Sequence, residues 1–235
     1  MRFWNTLKQD IKYQFRHGFY YAYLVISILY ILLLFNIPVE LRSAAAGLII
    51  FSDPAMLGFF FVGALILLER GENIFEGLFS TPLKPGEYMS ARVLSLTLLA
   101  LLVGFVIVIV VPGLTVNYIL LLWGIVLTAV LFTLLGIVLV VRVKTVNQYI
   151  IYSIIYSVIF LVPVLEYLNI YNSVFYYLWP TKASLVLFTG AFGGQVKTIE
   201  VITAIFSLLV WIVIAGKGAV HSFYRYIIMK IGDER

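Results

Sequence analysis

Residues 116–141 run without one charged side chain, and that length of uninterrupted apolar chain limits the possible folds more than any other feature. A helix rises about 1.5 Å per residue, so about 20 apolar residues match the roughly 30 Å hydrocarbon layer of a bilayer. Further predominantly apolar stretches recur at residues 18–37, 54–69, 87–111, 146–166 and 200–224. Charged residues make up 11% of the 235 and hydrophobic ones 63%, against roughly 25% charged in a soluble domain. A water-facing surface cannot be assembled from so few charges. The pattern predicts an all-α, polytopic membrane protein with six transmembrane helices, forming a single domain over residues 1–235.

Before the first span, Phe3, Trp4, Leu7, Ile11 and Phe15 fall on one helical stripe, with Arg2, Lys8, Lys12 and Arg16 on the others. Such a helix, residues 1–17, lies in the membrane interface. A signal peptide would have a shorter charged stretch, a shorter apolar run and a small-residue cleavage site. The apolar stretch from residue 44 is interrupted at Asp53-Pro54, a pair suited to a helix cap and first turn. The second span is therefore expected to start at Pro54, with residues 44–52 approaching it as an interfacial or partly re-entrant segment.

Residues 170–195 are apolar and aromatic but broken by Trp179-Pro180-Thr181-Lys182 and by Gly190, Gly193 and Gly194. If they crossed the membrane, Lys217, Arg225, Lys230 and Arg235 would lie outside. If they dip in and return, these four lie inside, as the positive-inside rule prefers. A re-entrant outer segment between spans five and six is therefore expected. All sixteen Lys and Arg except Arg42, Lys182 and Lys197 then fall on the inner side. The expected placement is the inner (plasma) membrane, multi-pass, with both termini cytoplasmic and the lipid bilayer as solvent.

The sequence also limits the chemistry. There are no cysteines and two histidines, His17 and His221, at span ends. No catalytic, cofactor-binding or metal-binding residue is predicted, and the net charge of +5 is too scattered for a nucleic-acid reader. Charge at the bilayer centre marks function, yet Asp53, Glu69 and Glu166 all sit at predicted span ends. There is no GxxxxGK[ST] phosphate loop, and Gly216-Lys217-Gly218 lies in apolar helix. Energy for active transport would have to enter from another polypeptide.

One polar segment faces the inner side. Glu69, Glu72 and Glu76 recur at helical spacing, while Ile74, Phe75, Leu78 and Phe79 form another face. The spacing predicts a short amphipathic helix over 70–80, stopped by Ser80-Thr81-Pro82-Leu83-Lys84-Pro85-Gly86 before a new helix near Glu87-Tyr88. Spacing alone fits a solvated connecting helix as well as a contact surface. In the fifth span Tyr149, Tyr152, Ser153, Tyr156 and Ser157 share a face that lipid would not favour, suited to helix packing or to a cavity.

Several motifs in order resemble one family. They are Phe51-Ser52-Asp53-Pro54, the run Gly63-Ala64-Leu65-Ile66-Leu67-Leu68-Glu69-Arg70, Thr81-Pro82-Leu83 followed by Glu87-Tyr88, and Trp179-Pro180-Thr181. Together with the expected topology, the chain resembles the permease subunits of type-2 ATP-binding-cassette (ABC) exporters, and among them the short drug-export permeases of fluoroquinolone-exporter type. The resemblance implies a permease domain that dimerises with a second copy or a homologous permease. It also implies a coupling helix between spans two and three that seats in a cytoplasmic ABC ATPase, where ATP and Mg bind. Glu69, Glu72, Asn73, Glu76, Thr81, Pro82 and Glu87 would then contact the ATPase. Tyr149, Tyr152, Ser153, Tyr156 and Ser157 would line the substrate path of amphipathic or hydrophobic small molecules. Rival readings are a non-catalytic membrane anchor or immunity protein, and a lipid-modifying enzyme, which the lack of intramembrane carboxylates and histidines disfavours.

Overall fold

The computed structural model describes residues 2–52, 58–168 and 170–229, and every regular element among them is helical. Helix α1 (Arg2–Arg16) leads through Gly18, at φ 80°, into α2 (Phe19–Asn36). Helices α3 (Val39–Ser52) and α4 (Gly58–Gly71) follow, then the six-residue α5 (Ile74–Phe79) and the long α6 (Pro85–Val110) and α7 (Tyr118–Val140). Next come α8 (Val146–Leu161), the single turn α9 (Val164–Tyr167), a 3-10 turn (Val174–Leu178), α10 (Pro180–Ala191) and α11 (Thr198–Phe223), which continues as a π turn over Tyr224–Ile228.

Local chemistry sets these boundaries. The Asn117 side chain accepts from the amides of Ile119 and Leu120 at the start of α7, and Thr145 accepts from Gln148 at the start of α8. Pro85 and Pro180 open α6 and α10, where a missing N–H costs nothing. Pro163 ends α8, because its ring supplies no amide to continue the ladder.

Helix α7 is the central post, with α4, α6, α10 and α11 packed round it. Gly136 lets α4 cross α7 at close range: a Cβ there would come 2.8 Å from the Phe59 carbonyl of α4. Leu121, Ile125, Leu131, Ile137 and Val140 of α7 are buried in this interior. The outside is apolar. Leu24, Val25, Ile28 and Leu29 of α2, Ile151, Ile155 and Val158 of α8, and Phe206 and Val213 of α11 are all exposed, the reverse of a water-soluble surface. Among the described residues, α2, α6, α7 and the continuous helix from Thr198 to Ile228 are long and apolar enough to cross a membrane.

The helix ends fall into two groups. The Arg42 guanidinium on α3 donates to the Pro112 carbonyl at 3.0 Å, and the Asn117 amide donates to the Ala191 carbonyl at 2.7 Å. The start of α3, the α6–α7 turn and the end of α10 therefore share one end. At the other, Arg70 at the end of α4 donates to the Val143 carbonyl at 2.6 Å, and Arg142 donates to Ser222 near the end of α11 at 3.3 Å. The beginning of α10 lies between the two ends. Ser184 in its first turns accepts from Thr128, midway along α7, at 2.9 Å. The indole of Trp211, midway along α11, donates to the Leu178 carbonyl, and that of Trp179 donates to the Ile159 carbonyl.

Several elements differ from the sequence expectation. Residues 44–52 belong to a helix that begins earlier, at Val39, where Arg42 binds the carbonyls of Ile37 and Pro112 and anchors the helix start. The expected start at Asp53-Pro54 lies outside the described residues. Residues 70–80 do not form one helix. Helix α4 runs on to Gly71, the chain turns at Asn73 with φ 54°, and α5 starts afresh. The fifth apolar helix stops at Leu161, so its 16 residues reach only about 24 Å.

Candidate functional site

At the end where α1, α5 and the start of α6 gather, the chain builds a polar platform from three distant segments. Its centre is Arg92 of α6, only 1% exposed. Its Nη1 lies 2.6 Å from Asp10 Oδ1 of α1, and its Nη2 pairs with Glu69 Oε1 of α4 and donates to the Tyr88 hydroxyl at 3.1 Å. The Tyr88 hydroxyl donates to Glu69 Oε2, and Ser95 donates to Asp10 Oδ2. The Gln14 amide donates to Asp10 at 2.9 Å and to Ser95 at 2.7 Å. Buried ions persist only where such hydrogen bonds replace water. One guanidinium thus holds α1, α4 and α6 together.

The clamp also defines how α1 lies. Leu7, Asp10 and Gln14 turn inward, whereas Trp4 and Phe15 of the apolar stripe are exposed. Helix α1 therefore docks through a polar edge and leaves aromatic side chains facing outward. A second tie comes from Tyr13, whose hydroxyl donates to Glu72 Oε2 at 3.1 Å, with His17 Nε2 3.9 Å from the other oxygen. Burial, then the Glu72 carboxylate, raises the Tyr13 pKa above its ordinary value, so the phenol stays a donor through the physiological range. Arg2 donates to the Pro82 carbonyl at 2.9 Å and thereby fixes the corner after α5.

Helix α5 is pinned by aromatic packing. Phe75 and Phe79 lie 5.8 and 6.1 Å, centroid to centroid, from Tyr88 of α6, and 6.0 and 5.9 Å from Phe223 of α11. Each such ring pair adds about 0.5–1.5 kcal/mol beyond area burial. Because Tyr88 also binds Glu69, the rings and the ion clamp form one continuous contact path.

The structure therefore separates the residues that sequence spacing grouped. Glu72, Asn73, Glu76, Thr81 and Pro82 are exposed at the tip. Glu69 is buried in the clamp, and Glu87 accepts from the Lys84 amide at 2.9 Å to cap α6. The tyrosine stripe of α8 divides as well. Tyr149 and Ser153 are buried, with the Tyr149 hydroxyl donating to the Phe59 carbonyl and its ring lying over Gly63, while Tyr152 and Tyr156 are exposed and Ser157 is half-buried.

Sequence reasoning placed no charge away from span ends and missed Asp10, Gln14, Tyr88, Arg92 and Ser95. Their signal was present: Asp10 and Gln14 are one turn apart on α1, and Tyr88, Arg92 and Ser95 line one face of α6. It also missed that Lys182 and Glu166 meet at 2.5 Å beside the start of α10, level with the middle of the bundle. Among the described residues no group of His, Cys, Asp and Glu is arranged to hold a metal ion.

A helical bundle with an apolar exterior, several membrane-length helices and an ion-clamped polar tip has the build of a multi-pass membrane protein. The chain belongs to the fluoroquinolones export permease protein family, whose model matches residues 1–231. Similar proteins include the fluoroquinolones export permease proteins of two Mycobacterium tuberculosis strains, CDC 1551 / Oshkosh and H37Rv. Each is 31% identical over 188 residues, which cover 80% of this chain and 79% of the relative.

Proposed function

We propose that this chain is the membrane-spanning subunit of an ABC exporter that moves amphipathic or hydrophobic drug-like molecules with ATP hydrolysed by a separate subunit. The reading rests on family membership and on one structural observation. The tip formed by Glu72, Asn73, Glu76, Thr81 and Pro82 is exposed, yet tied through Tyr88, Arg92 and Phe223 to α1, α4, α6 and α11. A push on such a tip moves several helices at once instead of bending a loop.

In this reading the tip faces the cytoplasm of an inner-membrane protein with both termini inside. Helices α3 and α4 together make the second of six crossings, and α8 with α9 the fifth. The turn at Leu178-Trp179 and helix α10 form the re-entrant outer segment. The exposed apolar faces of α2 and α8 meet a second permease, and Tyr152 and Tyr156 border the path between them.

The test is co-purification of the tagged chain with an ABC ATPase expressed beside it. Glu76→Lys is the most informative change, because the Glu76 side chain is exposed and bonds no other described residue, whereas reversing Glu72 also disturbs Tyr13. The expected outcome is loss of the complex and of drug-stimulated ATP hydrolysis while the permease still folds. Retained assembly and retained stimulation in Glu76→Lys and in Glu72→Lys/Glu76→Lys would remove the tip from this role.

A further inference from the structure

Between the first half of α10 and the first half of α11 lies a cavity of about 340 Å³ that the tyrosine stripe and the polar tip do not touch. Tyr177, Lys182, Ala183 and Val186 line one side, and Glu200, Thr203, Ala204 and Ser207 the other. The Lys182 side chain is 17% exposed. Its ammonium touches Glu166 at 2.5 Å and sits 5.3 Å from the centre of the Tyr177 ring. Glu166 occupies one direction of an ammonium that carries three donors, which leaves it able to share a second anion from the cavity side. Lys182 sits in the first turn of α10, a 12-residue helix, whose free amides add partial positive charge there.

The opposite end of the cavity has the opposite sign. Glu200 sits in the first turn of α11 and uses Oε2 to accept from the Lys197 amide. Lys182 lies deep, level with the middle of α7, because Ser184 meets Thr128 there. Glu200 lies two turns of helix nearer the bundle end than Ser207. Tyr177 is 64% exposed and Thr203 is exposed, so the cavity is open sideways. Apolar Ala183, Val186 and Ala204 complete its walls.

We infer that this cavity binds a zwitterionic amphiphile, its anionic group on Lys182, its cationic group toward Glu200, and its apolar body against Ala183, Val186 and Ala204. The inference rests on the proposed export function only for the identity of the ligand; the site itself requires no partner subunit. Two sources share the chemistry, a zwitterionic drug such as a fluoroquinolone and the headgroup of a zwitterionic phospholipid.

The experiment measures equilibrium binding to the purified full chain in a non-ionic detergent, without ATPase. The probes are a fluoroquinolone bearing both carboxylate and amine, its methyl ester, and a short-chain phosphatidylcholine. Lys182→Gln combined with Glu166→Gln removes both charges, so no lone ion is left buried, and Ala204→Trp fills the cavity while keeping every charge. Charge-assisted hydrogen bonds of this kind predict at least about tenfold weaker binding of the fluoroquinolone in either variant, and of the ester to the unaltered chain. Thermal unfolding of both variants checks that they fold. If phosphatidylcholine alone shows the dependence on Lys182 and on the open cavity, the ligand is a lipid headgroup and the site stands. Unchanged affinity of both probes in folded variants overturns the inference. Because no ATPase is present, that result leaves the export reading to be decided by co-purification.

Discussion

Single side chains carry much of the organisation. Arg92 neutralises two buried carboxylates, and removing one member of such a set costs about 3–5 kcal/mol because the remaining ions have lost their replacement for water. Arg92→Gln is therefore expected to be strongly destabilising in a thermal-unfolding assay. Replacing Asp10 and Glu69 by Leu together with Arg92→Met should recover part of that loss, since apolar groups can substitute for a buried ion set, while Tyr88 and Gln14 lose acceptors they now use. If the triple variant is as unstable as Arg92→Gln, the clamp contributes something other than charge balance. Gly63 is a second such position: a Cβ there would overlap the Tyr149 ring. Gly63→Ala should push that ring out, break its bond to the Phe59 carbonyl and cost about 1–3 kcal/mol of strain. A smaller residue at 149, as in Gly63→Ala/Tyr149→Leu, is expected to recover part of the loss.

The elements show what holds a very short helix in place. Six residues form no stable helix in isolation, so α5 exists because Phe75 and Phe79 pack on Tyr88 and Phe223. Phe75→Ala should loosen α5 by about 3–5 kcal/mol. Hydrogen exchange is expected to show faster amide exchange over residues 74–79 with α6 and α7 unchanged, and uniform protection would contradict this role. Helix α1 depends in the same way on polar contacts. Tyr13→Phe removes one hydrogen bond to Glu72, about 1 kcal/mol, and should raise the protease sensitivity of α1 without affecting the bundle.

For the whole molecule the decisive quantity is orientation. The chain has no cysteine, so a single Asn73→Cys change creates one label site at an exposed turn. A membrane-impermeant maleimide is expected to react with it in inside-out vesicles and not in intact cells. The reverse result would place the tip outside, away from any cytoplasmic ATPase. Charge supports the expected orientation: Lys8, Lys12, Arg16, Arg70, Lys84 and Arg142 gather at the tip end, whereas Arg42 and Lys197 lie at the other.

The helical class, the apolar runs, the breaks around Pro85 and Pro180 and the acidic tip at Glu72 and Glu76 were legible in the sequence. Each depends on hydrophobicity or on backbone chemistry within one or two turns, which local composition encodes directly. Only the tertiary structure decided that Glu69 is an internal anchor, that Asp10 and Arg92, far apart in the chain, share a site, that the tyrosines of α8 divide between packing and surface, and that Lys182 meets Glu166 beside an open cavity. A charged residue near the end of an apolar run reads the same whether it meets water, a headgroup or a partner ion, and only the packing of helices distant in sequence selects among them.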